Sequence, residues 1–249
     1  MIYFPALRTK RLRVQLRELT IGESLQLAAM PPDRPEAVCT AFLRFAAADT
    51  DGVADPLQWT VPERMLACCQ YMAATLEDGP DFPVGPARYS DYLNGERDIG
   101  DELVPVGEVG GDVWLARHLT GGMTESIERL AGELSVVSGR LHWLYGAMAA
   151  QLVREGESVP SPEDGEGAFD EWLVKRMTAL LAYPDSDAEL LMGHFLHTRD
   201  RMQHLFHIDF GNDGIIAMPK GGVANLPPAR FPADSCVSKF AREMGGKPD

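Results

Sequence analysis

Residues 9–30 change their hydrophobic period from that of a strand to that of a helix, and this change limits the possible folds of the chain more than any other feature. Leu12, Val14 and Leu16 alternate with charged or amide side chains. A period of two is typical of a strand that buries one face and exposes the other. We therefore predict an amino-terminal strand that belongs to a half-buried sheet.

A short helix is predicted directly after this strand. Thr20 and Glu23 have the spacing of a capping box, in which each side chain accepts the other residue's backbone N–H. Pro31 and Pro32 end the helix, because proline lacks an N–H and disfavours helical backbone in the residue before it. Thr60 and Glu63 repeat the capping box ahead of a second, longer helix.

Length and charge exclude several classes of protein. A chain of 249 residues can bury a large core without cross-links. Its net charge of −14 disfavours binding to nucleic acid, which draws its affinity from Lys and Arg at the phosphates. The sequence shows neither a signal peptide nor a run of apolar residues long enough to span a membrane. Its four cysteines lack metal-site spacing, so we expect buried free thiols in a reducing cytoplasm.

The pattern along the chain predicts an α+β fold that is mainly helical. We expect an amino-terminal strand plus helices, a central β-hairpin followed by a helical bundle, and an extended tail from Pro219. The hairpin is predicted around Gly110 and Gly111, which tolerate the positive φ of tight turns. The predicted units are 1–101, 102–154, an acidic linker or loop at 155–167, and 168–249. Further helices are predicted at 35–48, 60–75, 124–134, 140–153, 169–181 and 187–206, and a strand at 213–218.

Four histidines near the end of the last predicted helix are candidate metal ligands. They are His194, His197, His204 and His207. At about 100° per residue they share one helix face, but the two pairs lie about 15 Å apart, so one ion could use only one pair. The simpler interpretation is half-buried or interface histidines that bond to their neighbours.

Residues 205–211, LFHIDFG, resemble the magnesium-binding segment of lipid kinases of the phosphatidylinositol 3-kinase type. The resemblance implies Asp209 as the magnesium ligand. However, the sequence lacks the Asp-Arg-His-Asn pattern of that family's catalytic loop and a glycine-rich phosphate loop followed by a strand lysine. We interpret the match as coincidental, and keep a metal- or nucleotide-dependent enzyme built on residues 194–209 as the alternative function.

The amino-terminal third resembles a family of viral structural proteins. Its order is a strand ending in LRELT, a short helix, then WTVPERMLACCQYMAAT and YSDYL. This order resembles tail and baseplate proteins of contractile-tailed bacteriophages, most closely the baseplate-hub assembly and tail-chaperone group, over residues 4–93. The resemblance implies a non-catalytic component or assembly factor, located in the host cytoplasm during assembly or in the virion tail.

A docking protein needs complementary surfaces, adhesive loops and an extended tail rather than a reactive pocket. We therefore expect no enzyme activity and no cofactor, and other phage tail or baseplate proteins as partners in a hetero-oligomeric assembly. We expect neither sequence-specific nucleic-acid binding nor membrane insertion. The candidate partner-binding residues are Arg11, Arg13, Arg17, Tyr89, Tyr92 and Phe231.

Overall fold

The computed structural model describes residues 2–164, 166–221 and 225–245. These residues form an α+β fold of eight helices and four small antiparallel sheets. Helices account for 44% and strands for 21% of the residues, so the prediction that the fold is mainly helical is wrong. The sequence reading underestimated the strands because several are only two or three residues long, too short to show a period of two.

The helices and strands have the following bounds. The helices are α1 (Ile21–Ala28), α2 (Pro35–Ala46), α3 (Val61–Thr75), α4 (Gly121–Arg129), α5 (Arg140–Gln151), α6 (Glu166–Leu181), α7 (Asp185–Met202) and α8 (Lys239–Gly245). The strands are β1 (Leu7–Arg8), β2 (Leu12–Leu16), β3 (Ala47–Gly52), β4 (Pro83–Val84), β5 (Ala87–Arg88), β6 (Leu93–Asn94), β7 (Leu103–Val109), β8 (Asp112–Arg117), β9 (Leu152–Arg154), β10 (Leu205–Gly211) and β11 (Gly214–Met218). The sheets have the orders β1-β2-β3, β4-β5, β7-β8-β9 and β11-β10-β6.

The amino-terminal strand and helix form as predicted. In β2 the residues alternate between buried and exposed, with Leu12, Val14 and Leu16 in the core. At the start of α1 the Thr20 hydroxyl accepts the backbone N–H of Glu23 at 3.3 Å, and Glu23 accepts that of Thr20 at 2.8 Å. Both halves of the capping box are therefore present.

Helix α3 is the second element whose start was predicted correctly. Thr60 and Glu63 form its capping box. Residues 61–69 are all buried, so this part of the helix is covered on every side. This burial places α3 inside the molecule, where it packs against α2 and β10.

Two predicted helices continue into strands instead. Helix α5 ends at Gln151, and β9 then pairs with β8, which adds a third strand to the predicted hairpin. Helix α7 ends at Met202 and not near residue 206, because β10 pairs with β11 on one side and β6 on the other. Leu205 at this junction has φ +57°, a left-handed conformation that side chains other than glycine rarely adopt.

The carboxy-terminal segment is not simply an extended tail. It contains a 3₁₀ turn at Ala233–Cys236 and helix α8, and Phe231, Val237 and Ala241 are buried. Buried side chains from Phe4 to Ala241 belong to one connected core. Cys68, Cys69 and Cys236 are buried free thiols as predicted, whereas Cys39 is only partly buried. No helix in the described ranges combines the length and apolar character needed to cross a membrane.

Candidate docking site

A cleft of about 660 Å³ opens where both ends of the chain meet the middle of the fold. We call it the docking cleft. Its walls are formed by the end of α1, by the start of α2, by α4 and α5, and by the segment that leads into α8. Most of the lining is apolar: Leu27, Ala28, Met30, Pro32, Pro35, Val38, Ala131, Trp143, Pro232, Ala233 and Val237. Cavities of this size and chemistry are the usual binding sites of proteins.

Prolines shape the wall between α1 and α2. As predicted from Pro31 and Pro32, helix α1 stops ahead of them, at Ala28. Pro35 then starts α2 at the first helical position, where its missing N–H costs nothing. The connection between the two helices therefore turns at the rim of the docking cleft.

Glu128 is a buried carboxylate in the lining of the docking cleft. It accepts the backbone N–H of Glu36 at 2.8 Å and that of Ala37 at 3.3 Å. Arg34, the N-cap residue of α2, supplies no side-chain cap, so Glu128 takes this role from 92 residues away. Burial raises the pKa of Glu128 to about 7, and the Glu36 carboxylate adds to the rise, while the two N–H groups and Arg34 oppose it.

Charged side chains also line the docking cleft, and acids outnumber bases by four to two. The acids are Asp33, Glu128, Asp213 and Asp234, and the bases are Arg230 and Arg242. Arg230 is engaged within the chain, since its Nη2 donates to the backbone oxygen of Asp213 at 2.8 Å. The docking cleft thus combines an apolar interior with an acidic margin.

Exposed apolar side chains lie on two helices beside the docking cleft. Helices α1 and α8 pack against each other. On α1, Ile21 and Leu25 are 52% and 37% exposed, and on α8 Phe240 and Met244 are 59% and 65% exposed. Each pair is four residues apart and so lies on one face of its helix. We call these four side chains the α1–α8 surface.

The arginines predicted to bind a partner are divided between internal pairs and solvent. Arg11 pairs with buried Glu63, with 3.0 Å between Nη2 and Oε2. Arg17 pairs with Glu23 at 2.5 Å. Arg13 is exposed on β2. Of the predicted arginine face, Arg13 is therefore the position turned to solvent.

The aromatic residues predicted to bind a partner lie in the core. Tyr89, Tyr92 and Phe231 are 7%, 1% and 8% exposed. Phe231 contacts both tyrosine rings edge-on, at centroid distances of 6.2 and 5.7 Å. Tyr92 donates its hydroxyl to the oxygen of Pro227 at 2.7 Å. These three residues join the loop at 76–102 to the carboxy-terminal segment and do not form a surface.

The four candidate histidines do not share a helix face. His194 and His197 are on α7, whereas His204 follows the helix and His207 is on β10. His204 is buried, with Nε2 2.9 Å from the Thr60 hydroxyl and Nδ1 3.2 Å from the oxygen of Met202. Within the described ranges, no three His, Cys, Asp or Glu residues are placed to hold a metal ion together.

Asp209, the residue matched to the kinase magnesium ligand, lies on β10. Its carboxylate faces two guanidinium groups, Arg199 at 3.3 Å and Arg140 at 3.4 Å. Both pairs hold the β10 strand to neighbouring helices, α7 and α5.

Sequence reasoning missed the residues that build the docking cleft. Trp143 and the apolar residues of α1 can be recognised in the sequence as apolar positions. No local sequence pattern indicates that they share one surface. The contact between Glu128 and α2 joins residues about ninety positions apart and leaves no short motif. Comparison of the chain with protein-family models, curated proteins and solved structures finds no match.

Proposed function

We propose that this protein acts by docking to other protein subunits, as a component or assembly factor of a contractile phage tail or baseplate, without catalysing a reaction. The observation that carries the proposal is the docking cleft together with the adjacent α1–α8 surface. The two features give one region of the molecule an apolar depression and exposed apolar side chains beside it.

Covering this region with a partner is favourable. Full burial of a large apolar side chain is worth roughly 1.5–3 kcal/mol, and Ile21, Leu25, Phe240 and Met244 are each between 37% and 65% exposed. Burying the remainder contributes on the order of 1 kcal/mol for each. Stable interfaces commonly have an apolar centre and a polar rim, which is the arrangement found here.

The phage setting rests on the resemblance of residues 4–93 to tail and baseplate proteins. In that setting the partners are other tail or baseplate proteins, and the assembly is hetero-oligomeric. The protein then works in the host cytoplasm during assembly or within the virion tail.

Affinity capture with a tagged chain tests the proposal in cells producing the phage that encodes it. We expect tail or baseplate subunits to be captured, and a Phe240→Asp, Met244→Asp double variant to lose them. Leu190→Asp on α7, also at an exposed leucine, is the matched control and retains them. Replacing His194 and His197 by alanine and Asp209 by asparagine, which can still accept hydrogen bonds from Arg199 and Arg140, separates this proposal from the enzyme alternative and leaves capture intact. A chain that remains free and monomeric in these cells contradicts the proposal.

A further inference from the structure

We propose that the occupant of the docking cleft is an amphipathic helix of the partner, which inserts apolar side chains and places a lysine or arginine against Glu128. This inference rests on the proposed docking function and specifies the chemistry of the partner. It commits to one kind of segment, apolar along one side and basic along its flank.

The shape and lining of the docking cleft fit side chains from a helix. A space of about 660 Å³ admits several side chains but is open at the surface between α1, α2 and α8. An amphipathic helix laid across such an opening inserts residues spaced i, i+3, i+4 and i+7. Leu27, Val38 and Trp143 supply apolar contacts on three different walls.

Glu128 has unused hydrogen-bonding capacity. A carboxylate accepts about four hydrogen bonds, two at each oxygen. Oε1 accepts the N–H of Glu36 and Oε2 that of Ala37, so each oxygen keeps one acceptor position. Because Glu128 lines the docking cleft, a cationic side chain entering the cleft reaches a carboxylate that is already held in place.

The surrounding charges favour the same partner. Asp33 and Asp234 are exposed on the margin, and Asp213 lies near them. Arg230 donates to the backbone oxygen of Asp213, a bond that leaves its charge in place, so the lining carries four acids against two arginines. An acidic segment would meet this margin with like charge, and an uncharged one would bring no countercharge to Glu128.

Three synthetic peptides with the same leucine stripe provide the probe. Their flanking positions carry lysine, glutamine or glutamate, and each is titrated into the full chain by calorimetry and by the fluorescence of its tryptophans, which include Trp143. We expect the lysine peptide to bind about tenfold or more tightly than the glutamine peptide. We expect the glutamate peptide to bind most weakly, and added salt to reduce the difference between the peptides.

Two sets of variants assign the effect to the docking cleft. Glu128→Gln removes the charge and reduces the preference for lysine over glutamine peptide. Glu128→Gln also alters the cap of α2, so a second variant is needed. Asp33→Asn with Asp234→Asn changes two exposed side chains and disturbs no buried hydrogen bond. We expect it to lower the affinity for the lysine peptide severalfold. Glu189→Gln, on α7, is the control for lost surface charge and changes nothing.

The pH dependence of binding gives an independent test of the contact between Glu128 and the lysine peptide. Below pH 7 Glu128 takes up a proton and its pairing with lysine weakens, so affinity for the lysine peptide rises from pH 6 to pH 8. In Glu128→Gln this rise disappears. The other charged groups around Glu128 are Asp33, Arg34, Glu36, Asp213, Arg230, Asp234 and Arg242.

The outcomes separate this inference from the proposed function. Equal binding of lysine and glutamate peptides, or binding of none of the peptides, overturns the inference. If the double variant of α8 still loses its tail proteins in that case, docking stands and only the helical occupant is wrong. If the lysine peptide binds as expected but no tail subunit is ever captured, the chemistry of the cleft stands and the phage setting fails.

Discussion

Glu63 and Thr60 together join three segments that are far apart along the chain. Besides the backbone N–H of Thr60 at 2.8 Å, it accepts the Thr9 hydroxyl at 3.1 Å and Arg11 Nη2 at 3.0 Å. Thr60 in turn contacts His204. The local half of this network, Thr60 with Glu63, could be predicted from a three-residue spacing. The distant half could not, because contacts across 50 or 140 residues have no sequence pattern.

His118 and His204 make stability depend on pH. Burial is the main cause that lowers both pKa values, that of His118 from 6.5 to about 4. Between those values the unfolded chain binds protons that the folded chain does not, so the free energy of unfolding falls as pH falls below 6.5. The loss is about 1.4 kcal/mol per pH unit for one fully titrating group. Urea denaturation of His118→Gln at several pH values should show a flatter slope than the unmodified chain.

Glu128 acts in the opposite direction over part of this range. Its pKa is raised from 4.5 to about 7, so the folded chain holds a proton that the unfolded chain releases. Stability from this group is therefore present at pH 4.5 and lost as pH rises to 7, and Glu128→Gln removes that trend.

The prediction for His118 can be contradicted in the same titration. If His118→Gln keeps the slope of the unmodified chain, His118 is protonated in the folded state and our explanation is wrong.

The start of α4 shows why glycine can be required inside a regular element. The sequence predicted a helix from residue 124, whereas Gly121 and Gly122 form the first turn of α4. A Cβ on Gly121 would lie 1.7 Å from Nη1 of Arg64 and 2.8 Å from the oxygen of Pro56. The requirement is close packing against buried Arg64 rather than a positive φ.

Gly121→Ala should therefore destabilise the protein by about 3 kcal/mol or more, because it displaces a guanidinium that is 2% exposed and bound to the oxygen of Glu36 at 2.7 Å. Gly193→Ala is the matched control. It lies within α7 with open space around its Cβ and should stabilise by up to about 1 kcal/mol. Thermal unfolding measures both, and equal melting temperatures for the two variants would contradict the packing argument.

Elements with a clear period and a local start signal could be predicted, and those fixed by tertiary pairing could not. Strand β2, helix α3 and the β7–β8 hairpin carry their own periodicity, caps or turn glycines. The sequence from α7 into β10 keeps apolar residues at helical spacing. Its change to a strand depends on pairing with β11 and β6, which is decided elsewhere in the chain.

At the scale of the whole molecule, the acidic segment at 155–167 is attached to the core within its described part. Glu157 pairs with Arg176, whose guanidinium lies 5.2 Å from the centroid of Trp114 and 5.1 Å from that of Trp172. Such stacking of a mostly buried arginine between two indoles contributes to stability beyond the ion pair. Composition alone favoured a linker because the anchor belongs to α6, outside the segment.

The carboxy-terminal segment stabilises the fold as well as forming part of the proposed docking site. The extended tail that the sequence predicted from Pro219 would contribute little to the core. In the structure this segment supplies Phe231, Val237 and Ala241 to the core and packs α8 against α1. Losing one buried phenylalanine costs about 3–5 kcal/mol, and whole domains are stable by about 5–15 kcal/mol, so the truncated chain should be unfolded or nearly so.

Phe240→Asp with Met244→Asp separates the two roles of the segment, because both side chains are mostly exposed. We expect this double variant to keep the circular dichroism spectrum and melting temperature of the unmodified chain to within a few degrees, and to lose partner capture. The truncated chain should lose the cooperative melting transition as well. A truncated chain that melts normally would mean that the segment contributes surface but little stability.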